Sequence, residues 1–345
     1  MAKDTRKSPP RFTMDDRFRA LGAWLAAALV DAPLRIERAS TDASFRRYFR
    51  VFLDDGRTLI AMDAPPEREN SRAFVQVAGL LRGAGLNAPE VLRHDFEHGF
   101  LLVSDLGTAS YLSALNAGNA KELFGDAATA LVRWQSASRA GELPDYDEAL
   151  LTREANLFSD WYVERHLGVK FTAKQRESLD GVLRAVIANN LAEPRVFVHR
   201  DFMPRNLMVA RPNPGIIDFQ DAVYGPISYD IACLYRDAFL SWEEDVVLDG
   251  TIRYWEKARS AGLPVPGDFA TFWRNVEWMG LQRHLKVLGI FARLHYRDGK
   301  SGYLEDTPRF IGYVRHAVSR YSELAPLGRL LDALEGRRAE AGYTF

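Results

Sequence analysis

The sequence predicts an α+β chain of two lobes, a small β-rich amino-terminal lobe and a larger, mainly helical carboxyl-terminal one. Three observations carry this. Short apolar runs separated by turn signals dominate up to about residue 106, and long runs of helical periodicity dominate after it. The stretch 196–220 interrupts those helices with strand, polar loop, strand, turn and strand. Finally, 345 residues are too many for one simple core and suit two lobes. The expected divisions are a flexible tail over 1–14, a small lobe over 15–106 and a large lobe over 107–345.

Composition narrows the function classes. With 47% hydrophobic and 26% charged residues the chain reads as an ordinary globular protein, and a net charge of −1 argues against a nucleic-acid-binding surface. The one cysteine, Cys233, lies in an apolar run and cannot form an intrachain disulfide, which suits a reducing compartment. The basic start is not followed by a signal-peptide core, and the apolar part of 21–30 is too short to span a bilayer. A cytoplasmic monomer with no nucleic-acid or membrane partner is expected.

In chain order, Asp15 and Asp16 open a helix reaching about residue 30, with Phe18, Leu21, Trp24, Leu25, Ala28 and Leu29 at helical spacing. Strands are expected over 34–39, 45–53 and 58–62, the last two joined by the hairpin signal Asp54-Asp-Gly56. A helix over 71–82 and strands over 91–94 and 100–103 complete the small lobe. Helices follow over 119–137, 154–167, 173–190, 243–260, 268–294, 307–321 and about 327–341.

The chemistry concentrates in 196–220. Val196-Phe197-Val198 leads into His199-Arg200-Asp201, with Asn206 five residues beyond Asp201. Leu207-Met208-Val209 and the turn Arg211-Pro-Asn-Pro-Gly215 then lead to Ile216-Ile217-Asp218-Phe219. The reversal brings Asp201 and Asn206 beside Asp218. Phosphoryl transfer from ATP needs one carboxylate for the proton of the incoming hydroxyl, and an amide oxygen with a second carboxylate to hold Mg2+. Asp201 is the candidate base, and Asn206 and Asp218 are the candidate metal ligands. His199 is expected to anchor the loop. Arg205 and Asp221 are candidate acceptor contacts.

The spacing H-R-D-x-x-x-x-N followed by D-F matches the protein-kinase pattern, with Gln220 where a protein kinase has glycine. Continued through Asp221, Gly225-Pro226 and Tyr229-Asp230, the segment resembles the aminoglycoside phosphotransferase and choline kinase branch of the protein-kinase-like fold. The resemblance implies a bilobal kinase-like chain and makes Asp230 the acid that bonds the catalytic-loop backbone. It makes Ser104, Asp105 and Leu106 the adenine-binding hinge, and Ser44, Arg46 and Arg47 nucleotide contacts near the phosphates. It also exposes a departure: no lysine occurs between Lys7 and Lys121, so the strand over 58–62 lacks the usual phosphate-pairing lysine. Arg46, Arg47 and Arg50 are the nearest replacements. On a regular pleat Arg46 and Arg50 share one face and Arg47 takes the other.

Asp42-Ala-Ser-Phe-Arg-Arg-Tyr-Phe-Arg50, Ala61-Met-Asp-Ala-Pro-Pro66, the two active-site segments and Leu281-Gln-Arg-His-Leu-Lys-Val-Leu-Gly289 together resemble the bacterial anomeric sugar kinases. That resemblance implies transfer from ATP to the C1 hydroxyl of N-acetylmuramate and N-acetylglucosamine, giving α-1-phosphates for cell-wall sugar recycling. Arg283, His284 and Lys286 are then candidates for the acceptor cleft, against a solvated helix face. Arg283 and Lys286 share a face that suits a sugar carboxylate. Two alternatives remain at this point: another acceptor (an aminoglycoside, choline or homoserine), or a pseudokinase-like binding module.

Overall fold

The computed structural model describes residues 14–29, 35–40 and 45–336. Of the expected tail over 1–14, Met14 begins the first helix and the rest lies outside the described residues, as do Leu34, the connection 41–44 with its candidate Ser44, and the last turns of the expected final helix. The chain forms two compact units, Met1–Leu80 with Pro89–Leu106, and Leu81–Ala88 with Gly107–Phe345.

In the first unit α1 (Met14–Ala28) precedes β1 (Arg35–Ser40), β2 (Arg47–Phe52) and β3 (Thr58–Asp63). Then come α2 (Ser71–Gly83), which Asn70 caps by accepting from the Arg72 amide, β4 (Val91–Asp95) and β5 (Phe100–Ser104). The strands form one antiparallel sheet in the order β1-β2-β3-β5-β4. Alternation puts Phe49, Val51, Ala61, Phe100 and Leu102 on the face that Leu21 and Leu25 of α1 cover. Gly99 turns the chain at φ +74, and a Cβ there would lie 1.9 Å from the Ala64 carbonyl oxygen, so only glycine fits.

The second unit begins its helices with α3 (Tyr111–Ala114), α4 (Ala120–Ser136) and α5 (Glu148–Leu157). The helix expected over 154–167 starts earlier because Asp147 caps it, accepting from the Leu150 amide at 2.8 Å. From Phe158 to His166 it widens into a π-helix. Next come α6 (Ala173–Leu191), with a Thr172–Gln175 capping box, and four short strands. These are β6 (Arg195–Val198), β7 (Leu207–Met208), β8 (Gly215–Ile216) and β9 (Val223–Pro226). The expected reversal is present as the β7–β8 pair, while β6 pairs with β9, a strand the apolar pattern does not reveal. α7 (Tyr229–Tyr235), α8 (Glu244–Ser260), α9 (Phe269–Asp298), α10 (Thr307–Arg320) and α11 (Ala325–Leu334) follow.

α9 is the axis of this unit. It packs on α5, α6, α7, α10 and the π-helix, and every residue from Val276 to Gly289 is buried. Gly289 permits the approach of α5: a Cβ there would lie 2.3 Å from the Leu157 backbone. Tyr146, Leu151, Ile187, Val196, Val198, Val223, Tyr229, Cys233 and Met279 form one core cluster. The strands that launch the His199 loop are therefore rooted in packed apolar side chains. Among the described residues no helix is long and apolar enough to cross a membrane.

Candidate active site

The loop leaving β6 is clamped from both sides. Asp230, at the start of α7 and fully buried, accepts the His199 amide at 2.7 Å and the Arg200 amide at 3.0 Å. This is the backbone role expected of it. Burial pushes its carboxyl up to about 7, against the two amide bonds that favour the anion. His199 Nε2 donates to the Ile217 carbonyl at 3.1 Å while Nδ1 accepts from the Asp201 amide at 3.3 Å. Burial lowers its pKa to about 4, so the ring is neutral with its proton on Nε2. His199 thus ties the loop of the candidate base to the segment that runs from β8 to the candidate metal ligand Asp218, an anchoring role.

Three of the predicted residues meet here. Asn206 donates through Nδ2 to the Asp201 carbonyl at 2.9 Å and to Asp218 Oδ2 at 3.2 Å. The Ile217 amide donates back to the Asn206 carbonyl at 3.0 Å. With its nitrogen so used, the Asn206 amide presents its oxygen as an acceptor. Gln220 Nε2 donates to Asp218 Oδ1 at 2.8 Å, which fixes the rotation of that carboxylate. Arg200 (φ 75) and Asp218 (φ 62) are the non-glycine residues with positive φ among the described residues. Each conformation costs on the order of 1 kcal/mol, and such strain collects at functional sites. The candidate donor set is the Asp218 carboxylate and the Asn206 amide oxygen, both hard, which fits Mg2+.

The other candidates are placed as follows. Asp221 is exposed, and its carbonyl accepts from Arg200 Nη1 at 3.2 Å. Arg205 is half-buried, with its guanidinium 4.9 Å from the Phe239 ring centroid. Arg283, His284 and Lys286 are all buried, which excludes the solvated face. Arg283 and Lys286 take different partners. Arg283 donates to the Arg236 carbonyl at 2.9 Å and lies 3.8 Å from Met203 Sδ, whereas Lys286 Nζ lies 3.1 Å from Glu154 Oε1 and donates to the Tyr229 hydroxyl at 3.1 Å. His284 packs on Phe310 and Tyr313, and burial drives its pKa well below the ordinary value.

In the first unit the pleat begins at Arg47, so Arg46 precedes the ladder and the expected sharing of a face by Arg46 and Arg50 does not arise within it. Arg46 pairs with Glu69 at 2.7 Å, just ahead of α2. Arg47 and Arg17 both grip the fully buried Asp63, through Nε at 2.8 and 2.9 Å. Arg50 binds Asp105 with two bonds of 2.6 and 3.1 Å, and Thr58 adds a third at 2.8 Å. Ser104 exchanges bonds with Glu90, its amide donating at 2.9 Å and its hydroxyl accepting at 2.8 Å; Leu106 is half-buried. At the foot of β3, where a kinase lysine is absent, stands an anion held by two guanidiniums.

Sequence reasoning missed Gln220 as a partner of Asp218 and Glu154 as a partner of Arg200. Glu154 lies 46 positions from Arg200, and nothing local signals the pair. A separate cluster, Glu244, Glu277 and His316, has ligand atoms close enough for a metal ion. Arg236, Arg320 and Tyr321 already occupy its carboxylate oxygens, so it reads as an ion-pair network.

A strained, doubly clamped loop bearing an acid, beside an amide and a second acid, belongs to phosphoryl-transfer enzymes. The chain is a member of the phosphotransferase enzyme family, whose model matches residues 35–266. It is 52% identical over 330 residues to the N-acetylmuramate/N-acetylglucosamine kinase of Pseudomonas aeruginosa, covering 93% of this chain and 97% of that one. The kinase of the same name from Pseudomonas putida is 48% identical over 336 residues, with 94% and 99% covered. A choline/ethanolamine kinase family protein from Mesorhizobium loti shares the fold at a TM-score of 0.62 and 17% identity, over 90% of this chain and 99% of that one.

Proposed function

We propose that the chain is an ATP-dependent kinase of N-acetylmuramate and N-acetylglucosamine, acting on the anomeric C1 hydroxyl to give α-1-phosphates in cell-wall sugar recycling. The observation that carries the reaction type and the two sugars is identity near half of all positions, across nearly the full length, to kinases named for them; the C1 position and the anomer rest on the sequence resemblance. The ordered Asp201, Asn206 and Asp218 constellation supports catalysis over mere binding.

In this reading Asp201 orients the sugar hydroxyl and takes its proton as the oxygen attacks the γ-phosphorus. The bond to the ADP oxygen breaks, and ADP leaves with that electron pair. Bound at Asn206 and Asp218, Mg2+ supplies neutralisation of the phosphate charge. His199 and Asp230 hold Asp201 in place and exchange no proton with the substrate. Ser44, Arg46, Arg47, Ser104, Asp105 and Leu106 contact the nucleotide, and Arg205 and Asp221 contact the acceptor. Arg46 beside Glu69 stands in for the absent lysine and its usual acidic partner. The enzyme works in the cytoplasm as a monomer.

Phosphorus NMR of the product from ATP and N-acetylmuramate tests the reading. A new sugar phosphate whose phosphorus couples to the anomeric proton, absent with Asp201→Asn, is expected. An ester at another carbon, or no product with either sugar, overturns it.

A further inference from the structure

Beside the catalytic loop lies a buried ion cluster. Glu154 of α5 is 5% exposed. Its Oε1 accepts from Arg200 Nη2 and lies 3.1 Å from Lys286 Nζ, while Oε2 accepts from the Tyr146 hydroxyl. Arg200 stands between His199 and Asp201 in a left-handed conformation that only outside restraint maintains. Three hydrogen bonds and one ion pair supply it. Its amide goes to Asp230, its carbonyl accepts from Cys233 Sγ at 3.3 Å, and Nη1 reaches the Asp221 carbonyl at 3.2 Å. Glu154 is the carboxylate paired with its side chain among the described residues. One guanidinium therefore joins the loop of the base, the segment following the metal acid, and α5. Burial alone would raise the Glu154 carboxyl, but Lys286 and then Arg200 outweigh it and hold it below the ordinary range.

We infer that Glu154 is a positioning residue for phosphoryl transfer. Acting through Arg200, it fixes Asp201 relative to the Asp218–Asp221 segment, and Lys286 serves this cluster and not the acceptor sugar. The inference rests on the kinase reading above. A purely structural acid would set only how much protein folds. A positioning acid sets the rate per folded molecule, because displacement of the base by about 1 Å costs up to about a hundredfold in rate.

The experiment measures kcat and KM for ATP and for both sugars, normalised to folded protein, in wild type and four variants. Glu154→Gln removes the charge. Glu154→Gln with Lys286→Met removes one charge of each sign, for the case in which the single change leaves too much buried positive charge to fold. Glu154→Asp keeps the charge but draws it back by one methylene. Lys286→Met keeps the Arg200 pair. The expected result is a fall in kcat of about tenfold or more in each folded Glu154 variant, with every KM within about twofold. Lys286→Met leaves the ratio of kcat/KM between the two sugars unchanged. Wild-type kcat in any folded Glu154 variant overturns the inference, as does a rise in sugar KM at constant kcat. A changed sugar ratio in Lys286→Met overturns the role given to that lysine. An inactive wild type defeats the kinase reading itself, and the inference with it.

Discussion

Acid should destabilise this protein through one particular ring. His199 is held neutral by burial, at a pKa of about 4 against an ordinary 6.5. Because the folded value lies below the unfolded one, the unfolded chain binds more protons between those values, so stability falls as pH falls. A difference of 2.5 units from those two values, at about 1.4 kcal/mol per unit, gives about 3 kcal/mol lost between about pH 7 and pH 4. His199→Gln keeps a donor for the Ile217 carbonyl and does not titrate. The assay is urea unfolding of both proteins across that range, read as the difference between them. A carboxylate with no contact to the ring, such as Glu193 with a folded value raised by burial to about 8, then cancels. The variant is less stable at neutral pH, having lost the Asp201 amide bond, and the gap narrows by about 3 kcal/mol toward pH 4. A gap that stays constant within about 0.5 kcal/mol would refute the neutral-ring account.

Gln220→Ala frees the rotation of Asp218, and the Mg2+ needed for half-maximal activity should rise about 10- to 100-fold with kcat at saturating Mg2+ little changed; an unaltered Mg2+ dependence counts against the contact. Asp63→Asn leaves two part-buried guanidiniums facing a neutral amide and should cost about 3 kcal/mol of the unfolding free energy, measured in urea. Gly289→Ala pushes a methyl into the Leu157 backbone and should cost at least about 1–3 kcal/mol in the same assay. Asp218→Ala should abolish turnover while leaving the circular dichroism of the folded protein intact.

The site was legible because its chemistry is local. Asp201, Asn206 and Asp218 lie within one stretch, and turn-forming residues between them leave few ways to fold. Asp230 was legible by resemblance, and its two amide bonds are those expected of it. The helices were legible from periodicity, with ends shifted where a cap such as Asp147 or the left-handed Gly299 decides them. α9 was legible as a helix, but the directions of its polar side chains were not, for a physical reason. From Val276 to Gly289 the helix is buried on all sides and has no polar face, so Arg283, His284 and Lys286 gave no clue to direction. Their partners, the Arg236 carbonyl and Glu154, come from distant segments and become visible only once the helices pack. The arginines of β2 illustrate the same limit: alternation assigns a face, but only the pairing with β3 reveals Asp63 opposite Arg47.

The anion at the foot of β3 has a practical consequence for chemical probing. Reagents that tag nucleotide-dependent transferases by acylating an amine beside the triphosphate find no lysine along the five-stranded sheet, because none falls between Lys7 and Lys121. The guanidiniums on Asp63 are weak nucleophiles. Covalent profiling tuned to amines would pass over this sheet, while dye displacement or heat-shift screening with nucleotide analogues would still register the protein.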